Sequence, residues 1–130
     1  MRTIKDHPRV DFKEKTSTGN EAVDYCETNY PETCKEFKRI QKEQYETFCK
    51  KQHDYGQHNI TLGMDMEDPE SRHLSITAII IRINDKVQRL FNLVLRRKTT
   101  AQNEPVEDAF KDLAVYGIIA QIVSNGKWGK

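Results

Sequence analysis

Long apolar runs are missing from this chain. None exceeds four residues, as at Ala78 to Ile81, whereas a bilayer-spanning helix needs about 20. The opening stretch MRTIKDHPRVDFKEK has no apolar core, so it is not read as a secretory leader. Cysteine is sparse: Cys26, Cys34 and Cys49 are odd in number and form no CxxC pair. They make a poor disulfide framework, and a reducing cytoplasm is the expected setting. Charge of one sign is lacking too. Twenty-one Lys and Arg meet twenty Asp and Glu, for a net +1. Duplex nucleic acid is thus a disfavoured partner, since its binders carry a strongly basic balance. The glycines make no phosphate loop, because neither Gly56 nor Gly63 is followed by Gly-Lys-Ser/Thr, and Gly126-Lys127-Trp128-Gly129 has the wrong context. No Ser-His-Asp or Cys-His spacing is visible.

What is present is helical periodicity. The apolar fraction, 36%, is low beside the ~45–50% usual in globular chains. Such a chain either carries a poorly packed segment or completes its core by oligomerising. Residues 1–29 are polar and read as an arm with little structure, packed on a partner subunit, with Thr16 to Asn20 as loop. Residues 30–130 read as one helical domain. A first helix is predicted from Pro31 to Gln52, capped by Asn29, with Phe37, Ile40, Gln44/Tyr45 and Phe48 at helical spacing and Gly56 beyond its end. A long connection follows over 54–74, containing the acidic stretch Met64 to Glu70. It is either a solvated loop or a lid ordered by ligand.

The second helix is predicted from Ser75 to Arg97, with Ile76, Ile80, Ile83, Val87, Leu90 and Val94 in 4-3 alternation. The third starts with Asn103 as a cap and Pro105 in its first turn, and runs to Asn125-Gly126. The fold class expected is all-α: a small bundle of three main helices with a long loop between the first two. At least a dimer is needed to bury their width.

Three polar constellations stand out. The first helix ends on Lys50 and Lys51, followed by Asp54, Tyr55 and Gly56. Cations, a carboxylate and a phenol there suit a small polar ligand. On the second helix, Arg82, Asp85, Lys86 and Arg89 share one face. The three cations can clamp phosphate while Asp85 orients them or holds a metal; alternatively the face is merely solvated. On the third, Asp108, Asp112 and Tyr116 recur every four residues. Carboxylates at that spacing can share one Mg²⁺, although Asp108 also suits the helix dipole. His53 and His58 lack the further ligands a zinc site requires. Trp128 either stacks on a base or caps the bundle.

The run Phe48-Cys49-Lys50-Lys51 into Asp54-Tyr55-Gly56, then Ile83, Asp85-Lys86 and Arg89-Leu90, then Asp112-Leu113-Ala114 with Tyr116 and Ile118-Ile119, resembles a family of phages and bacteria. This is the nucleotide modification associated domain family, of the first type, and the likeness runs from about residue 37 to 124. The resemblance implies a small helical domain acting in nucleotide metabolism or modification. Its layout is also similar to the all-helical nucleoside triphosphate pyrophosphatases of the MazG kind, which use clustered carboxylates and Mg²⁺. Their Glu-x-x-Glu and Glu-x-x-Asp pairs are absent here in clear form.

The leading expectation is an oligomer that binds a nucleotide or nucleotide-derived molecule. Lys50, Lys51, Arg82, Lys86 and Arg89 would meet phosphate, Tyr55 and Tyr116 would stack or hydrogen-bond, and Asp54 with Gly56 would line the base or ribose. If the protein is an enzyme, Asp85 and Asp112 are its catalytic residues, and Asp85, Asp108 and Asp112 hold Mg²⁺ for phosphoanhydride hydrolysis. Two further readings stand beside it: a phage sponge that sequesters nucleotide immune signals without chemistry, and a regulatory partner of a DNA-modifying enzyme. The place expected is the cytoplasm of the phage's bacterial host.

Overall fold

The computed structural model describes residues 17–97 and 99–130. Among them the chain is all-α, with five helices: α1 (Glu21–Asn29), α2 (Pro31–Tyr55), α3 (His58–Thr61), α4 (Pro69–Leu90) and α5 (Val106–Ser124). Two compact units divide inside α2, the first ending at Tyr45 and the second beginning at Glu46. No helix among the described residues is long and apolar enough to cross a membrane.

In the first unit, the predicted arm is partly a helix. Residues 1–16 lie outside the described residues. The Asn20 side chain caps α1 by accepting from the Val23 N–H at 3.1 Å. The Asp24 carboxylate reaches back to the Thr18 N–H at 3.0 Å and to the hydroxyls of Thr18 and Ser17, each at 2.9 Å. These bonds to the ionised form hold the Asp24 pKa below its usual value. Local capping, not an apolar stripe, makes this helix, and that is why hydrophobic periodicity misses it. Asn29 does not cap α2. It closes α1, its amide donating to the Tyr25 carbonyl at 2.9 Å, and the Tyr30 carbonyl accepts the first bond of α2, from the Cys34 N–H.

In the second unit, α4 and α5 pack together and α3 lies on α4. Gly56 ends α2 in a left-handed conformation, φ 67°, open to glycine at no steric cost. The 54–74 connection is shorter than the sequence implies. The turn of α3 interrupts it, and α4 starts at Pro69 instead of Ser75. The Asp68 carboxylate caps α4 through the Ser71 N–H at 3.2 Å and hydroxyl at 2.9 Å, with Pro69 in the first turn. Asn103 is not the cap of α5; Pro105 occupies that position with no side-chain bond. Beyond Leu90 the helix widens into a π-helical stretch, Phe91–Arg96, and stops at Arg97 with φ 53°.

The core contains Ile60, Met66, Ile79, Ile119, Val123 and Trp128, with Phe48, Ile76, Ile83, Val115 and Tyr116 packed around it. On α5 the covered stripe is Ala109, Asp112, Tyr116, Ile119, Val123, a 3-4 alternation. On α4 the covered face is the predicted stripe turned toward the preceding positions. Ser75 and Ile79 are buried. Arg82, Lys86 and Arg89 are half-buried, and so are Ile76, Ile83, Val87 and Leu90, of which Ile76 and Ile83 pack on the core. Ile79 is 1% exposed while Ile80 is 57% exposed. A polar contact accompanies the rotation: the fully buried Ser75 hydroxyl donates to the Ile60 carbonyl at 2.7 Å. Trp128 closes the other side, its ring edge-on to Phe48 at 6.0 Å and its indole N–H donating to the Gln57 carbonyl at 3.1 Å.

Candidate functional site

Because α4 turns its polar stripe inward, Arg82, Lys86 and Arg89 all lie half-buried. Lys86 meets Asp112 across the α4–α5 seam, Nζ to Oδ2 at 3.0 Å, and each side chain is about one-quarter exposed (25% and 26%). The hydrogen bond to Asp112 raises the Lys86 pKa; burial opposes this, and the charges of Asp112, Glu104 and Tyr116 add to it. One turn on, the Arg89 guanidinium donates to the backbone carbonyls of Pro105, at 3.3 Å, and Glu104. It thereby ties α4 to the entrance of α5. Arg82 reaches the other way and donates to the Asn59 carbonyl of α3 at 2.8 Å.

The structure therefore brings together Lys86, Arg89 and Asp112, with Tyr116 beside them on the α5 stripe. Asp108 is half-buried one turn before Asp112, whereas Asp85 points away from the seam and is exposed. Lys86 uses one of three N–H directions on Asp112, and Arg89 uses two of five on carbonyls. Donors remain for an incoming anion.

Lys50, Lys51, Asp54, Tyr55 and Gly56 do not join this seam. All five are exposed, and Asp54 bonds only locally, to His53 at 3.0 Å. Their segment continues into Gln57, which Trp128 anchors just beyond the C-terminal end of α5. Asp112 and Ser124 are about 18 Å apart along that helix. Convergence of Lys51 with Arg89 and Asp112 into one cavity, required by the sequence reading, is not what the fold produces. An open depression lined by Arg97, Thr99, Thr100 and Gln102 includes none of the predicted site residues.

Among the described residues no three His, Cys, Asp or Glu side chains gather closely enough to hold a metal. Asp112 is paired to a lysine and Asp85 faces solvent, so Asp85, Asp108 and Asp112 form no shared oxygen cage. A route to hydrolysis through a resident ion has no support from these residues.

Four polar groups that tie α4 to its neighbours escaped the sequence reading. Ser75 was placed at the helix start, although a hydroxyl at the head of the 4-3 series Ser75, Ile79, Arg82, Lys86, Arg89 is a legible signal. The carbonyls that receive Arg82 and Arg89 leave no sequence signal at all. Compared with protein-family models, curated proteins and solved structures, this chain matches none.

Proposed function

We propose that the second unit binds a nucleotide or nucleotide-derived molecule by its phosphate and does not cleave it. One observation supports this most: two half-buried cations, Lys86 and Arg89, are held side by side by fixed acceptors with donors to spare, while the carboxylates that hydrolysis requires stay apart. In this reading Asp112 occupies the place of the ligand's phosphate, orienting Lys86 until an anion takes over. Tyr116 lies where it can meet a base or ribose. The biological role that fits is sequestration of a nucleotide signal in the cytoplasm of a phage-infected bacterium.

The test is calorimetry with a panel of mono-, di- and cyclic nucleotides, with and without Mg²⁺, followed by chromatography of the recovered ligand. Binding is expected to be independent of Mg²⁺, with the ligand returned intact. Lys86→Met and Arg89→Met should each weaken it by about 10–100-fold, the worth of one charge-assisted hydrogen bond. Asp112→Asn should tighten it, since the competing carboxylate is gone. A hydrolase predicts the reverse: products appear, and Asp112→Asn abolishes them. Product formation, or no binding at millimolar nucleotide, overturns the proposal.

A further inference from the structure

We propose that the outward face of α4 pairs antiparallel with the same face of a second copy, making the protein a homodimer. The starting observation is that α4 keeps its cations on the covered side and its neutral residues outside. Arg72, Arg82, Lys86 and Arg89 are all half-buried, whereas the exposed residues from Leu74 to Leu95 carry a single charge, Asp85. Ile80 and Ile81 are 57% and 59% exposed, Phe91 41% and Leu95 67%. A helix that faces water normally presents charge there and turns its isoleucines inward. An apolar face of this length marks a surface that another chain covers.

The uncovered stripe has the spacing of a helix-pairing seam: Leu74, Thr77, Ile81, Asn84, Gln88, Phe91, Leu95, in 3-4 alternation and without a charge. The wider π-helical turn that Phe91 opens keeps Leu95 on the same side, one turn on. A second copy is the occupant these residues fit, because the stripe is its own complement. Reflected about Lys86, Ile81 falls on Phe91, Asn84 on Gln88 and Thr77 on Leu95. A two-fold interface requires this property, since residue i meets j and j meets i. A nucleic acid or a charged peptide would find no charge to answer on it. The two central amides can each donate and accept. Within one copy Gln88 donates to Asn84 at a long 3.5 Å; across the axis two Asn84–Gln88 pairs would form amid apolar residues and fix the register.

Charge favours the antiparallel direction. A parallel pair would set Glu70, which precedes Leu74 in the same alternation, against the partner's Glu70. In the antiparallel pair Lys86 comes level with its own copy, but it is turned away into the seam with α5, bound to Asp112. Asp85 comes level with the partner's Val87 at the edge of the face. Both copies of Asp85 share that edge, in water, so salt screens their repulsion. Size agrees as well. At roughly 200 Å² for a large side chain, the exposed parts of Leu74, Ile80, Ile81, Phe91 and Leu95 offer about 500 Å² per protomer. Adding Thr77, Asn84 and Gln88 brings a symmetric pair to the ~1,200 Å² of a small specific interface. The exposed side of α5 has no equivalent stripe, being interrupted by Glu107 and Lys111.

The test is sedimentation equilibrium of the full chain, with variants at exposed positions that leave one copy folded. A dimer is expected. Ile81→Asp should raise its Kd by about 100-fold, one hot spot counted twice by symmetry, with Trp128 emission unchanged. Phe110→Asp, on the exposed side of α5, should leave the Kd as it is. Asp85→Asn should tighten the dimer at low salt, a gain that unfolding cannot imitate. Asn84→Cys chains mixed with Gln88→Cys chains should form a disulfide between position 84 of one and position 88 of the other. Asn84→Cys chains alone should form none between their positions 84, which the antiparallel register holds more than ~7 Å apart. A monomer at every concentration, a dimer indifferent to Ile81→Asp or broken by Phe110→Asp, a dimer that Asp85→Asn does not tighten, or a disulfide joining position 84 to position 84 overturns the proposal.

Discussion

Replacing Lys86 by Met keeps the length and apolar stem of the side chain and removes its charge. Asp112 then loses its partner at 3.0 Å while only about a quarter of its side chain reaches water (26%). The raw attraction at that distance, with an effective dielectric near 20, is about 5 kcal/mol. Desolvation of both groups cancels most of it. Fully exposed pairs contribute less than about 1 kcal/mol, and breaking a fully buried one costs about 3–5. A three-quarters-covered pair falls between, so the coupling energy should be about 1–2 kcal/mol. Urea unfolding of wild type, Lys86→Met, Asp112→Asn and the double variant, followed by circular dichroism, measures it directly.

The pH dependence carries a definite sign. Asp112 raises the Lys86 pKa in the folded state, so the pair stabilises fully below the unfolded lysine value of about 10.4. That contribution fades as pH rises through the higher folded value. The stability gap between wild type and Lys86→Met should therefore be constant at neutral pH and close above pH ~10.5. A coupling under about 0.3 kcal/mol, as in solvated pairs, or a gap that stays open well above pH ~10.5, would refute the reasoning.

Two further outcomes follow from buried groups. Ser75→Ala leaves the Ile60 carbonyl without its donor in a fully buried position and should cost about 1–3 kcal/mol by urea titration. A neutral result would mean that the carbonyl finds another partner. Trp128→Ala should cost about 3–5 kcal/mol, as expected for a large aromatic that is 4% exposed. Trp128→Phe should cost about 1–2, since it keeps a ring against Phe48 and loses the bond to Gln57. Equal losses for the two would show that the hydrogen bond, and not the ring, is what anchors this end.

The sequence reading located α2, α4 and α5 because a 3-4 alternation survives single polar interruptions. Asp112 stood out there only as a carboxylate repeating with Asp108 and Tyr116, and it meets Lys86 across the seam. On α4 the same method rightly set Ile76 and Ile83 against the core but took the exposed Ile80 for a covered residue. Apolar residues surround that helix from Ile76 to Ile83, so periodicity alone could not say which side turns inward. A hydroxyl bond at Ser75 and a salt link at Lys86 mark the side that does. The start of α4 was missed because Asp68-Pro69 resembles a turn as much as a cap, and only the following backbone conformation distinguishes them.

What the residue order determined unaided is the helical class, the absence of a membrane-spanning helix and the list of polar residues set among apolar ones, because each depends on local spacing and composition. Which of those residues meet is a matter of distance between segments. Packing of α5 on α4 joined Lys86 to Asp112, while Phe48 and Gln57, on either side of Lys51 in sequence, meet Trp128 beyond the end of α5, since a side chain can reach across one seam but not along it.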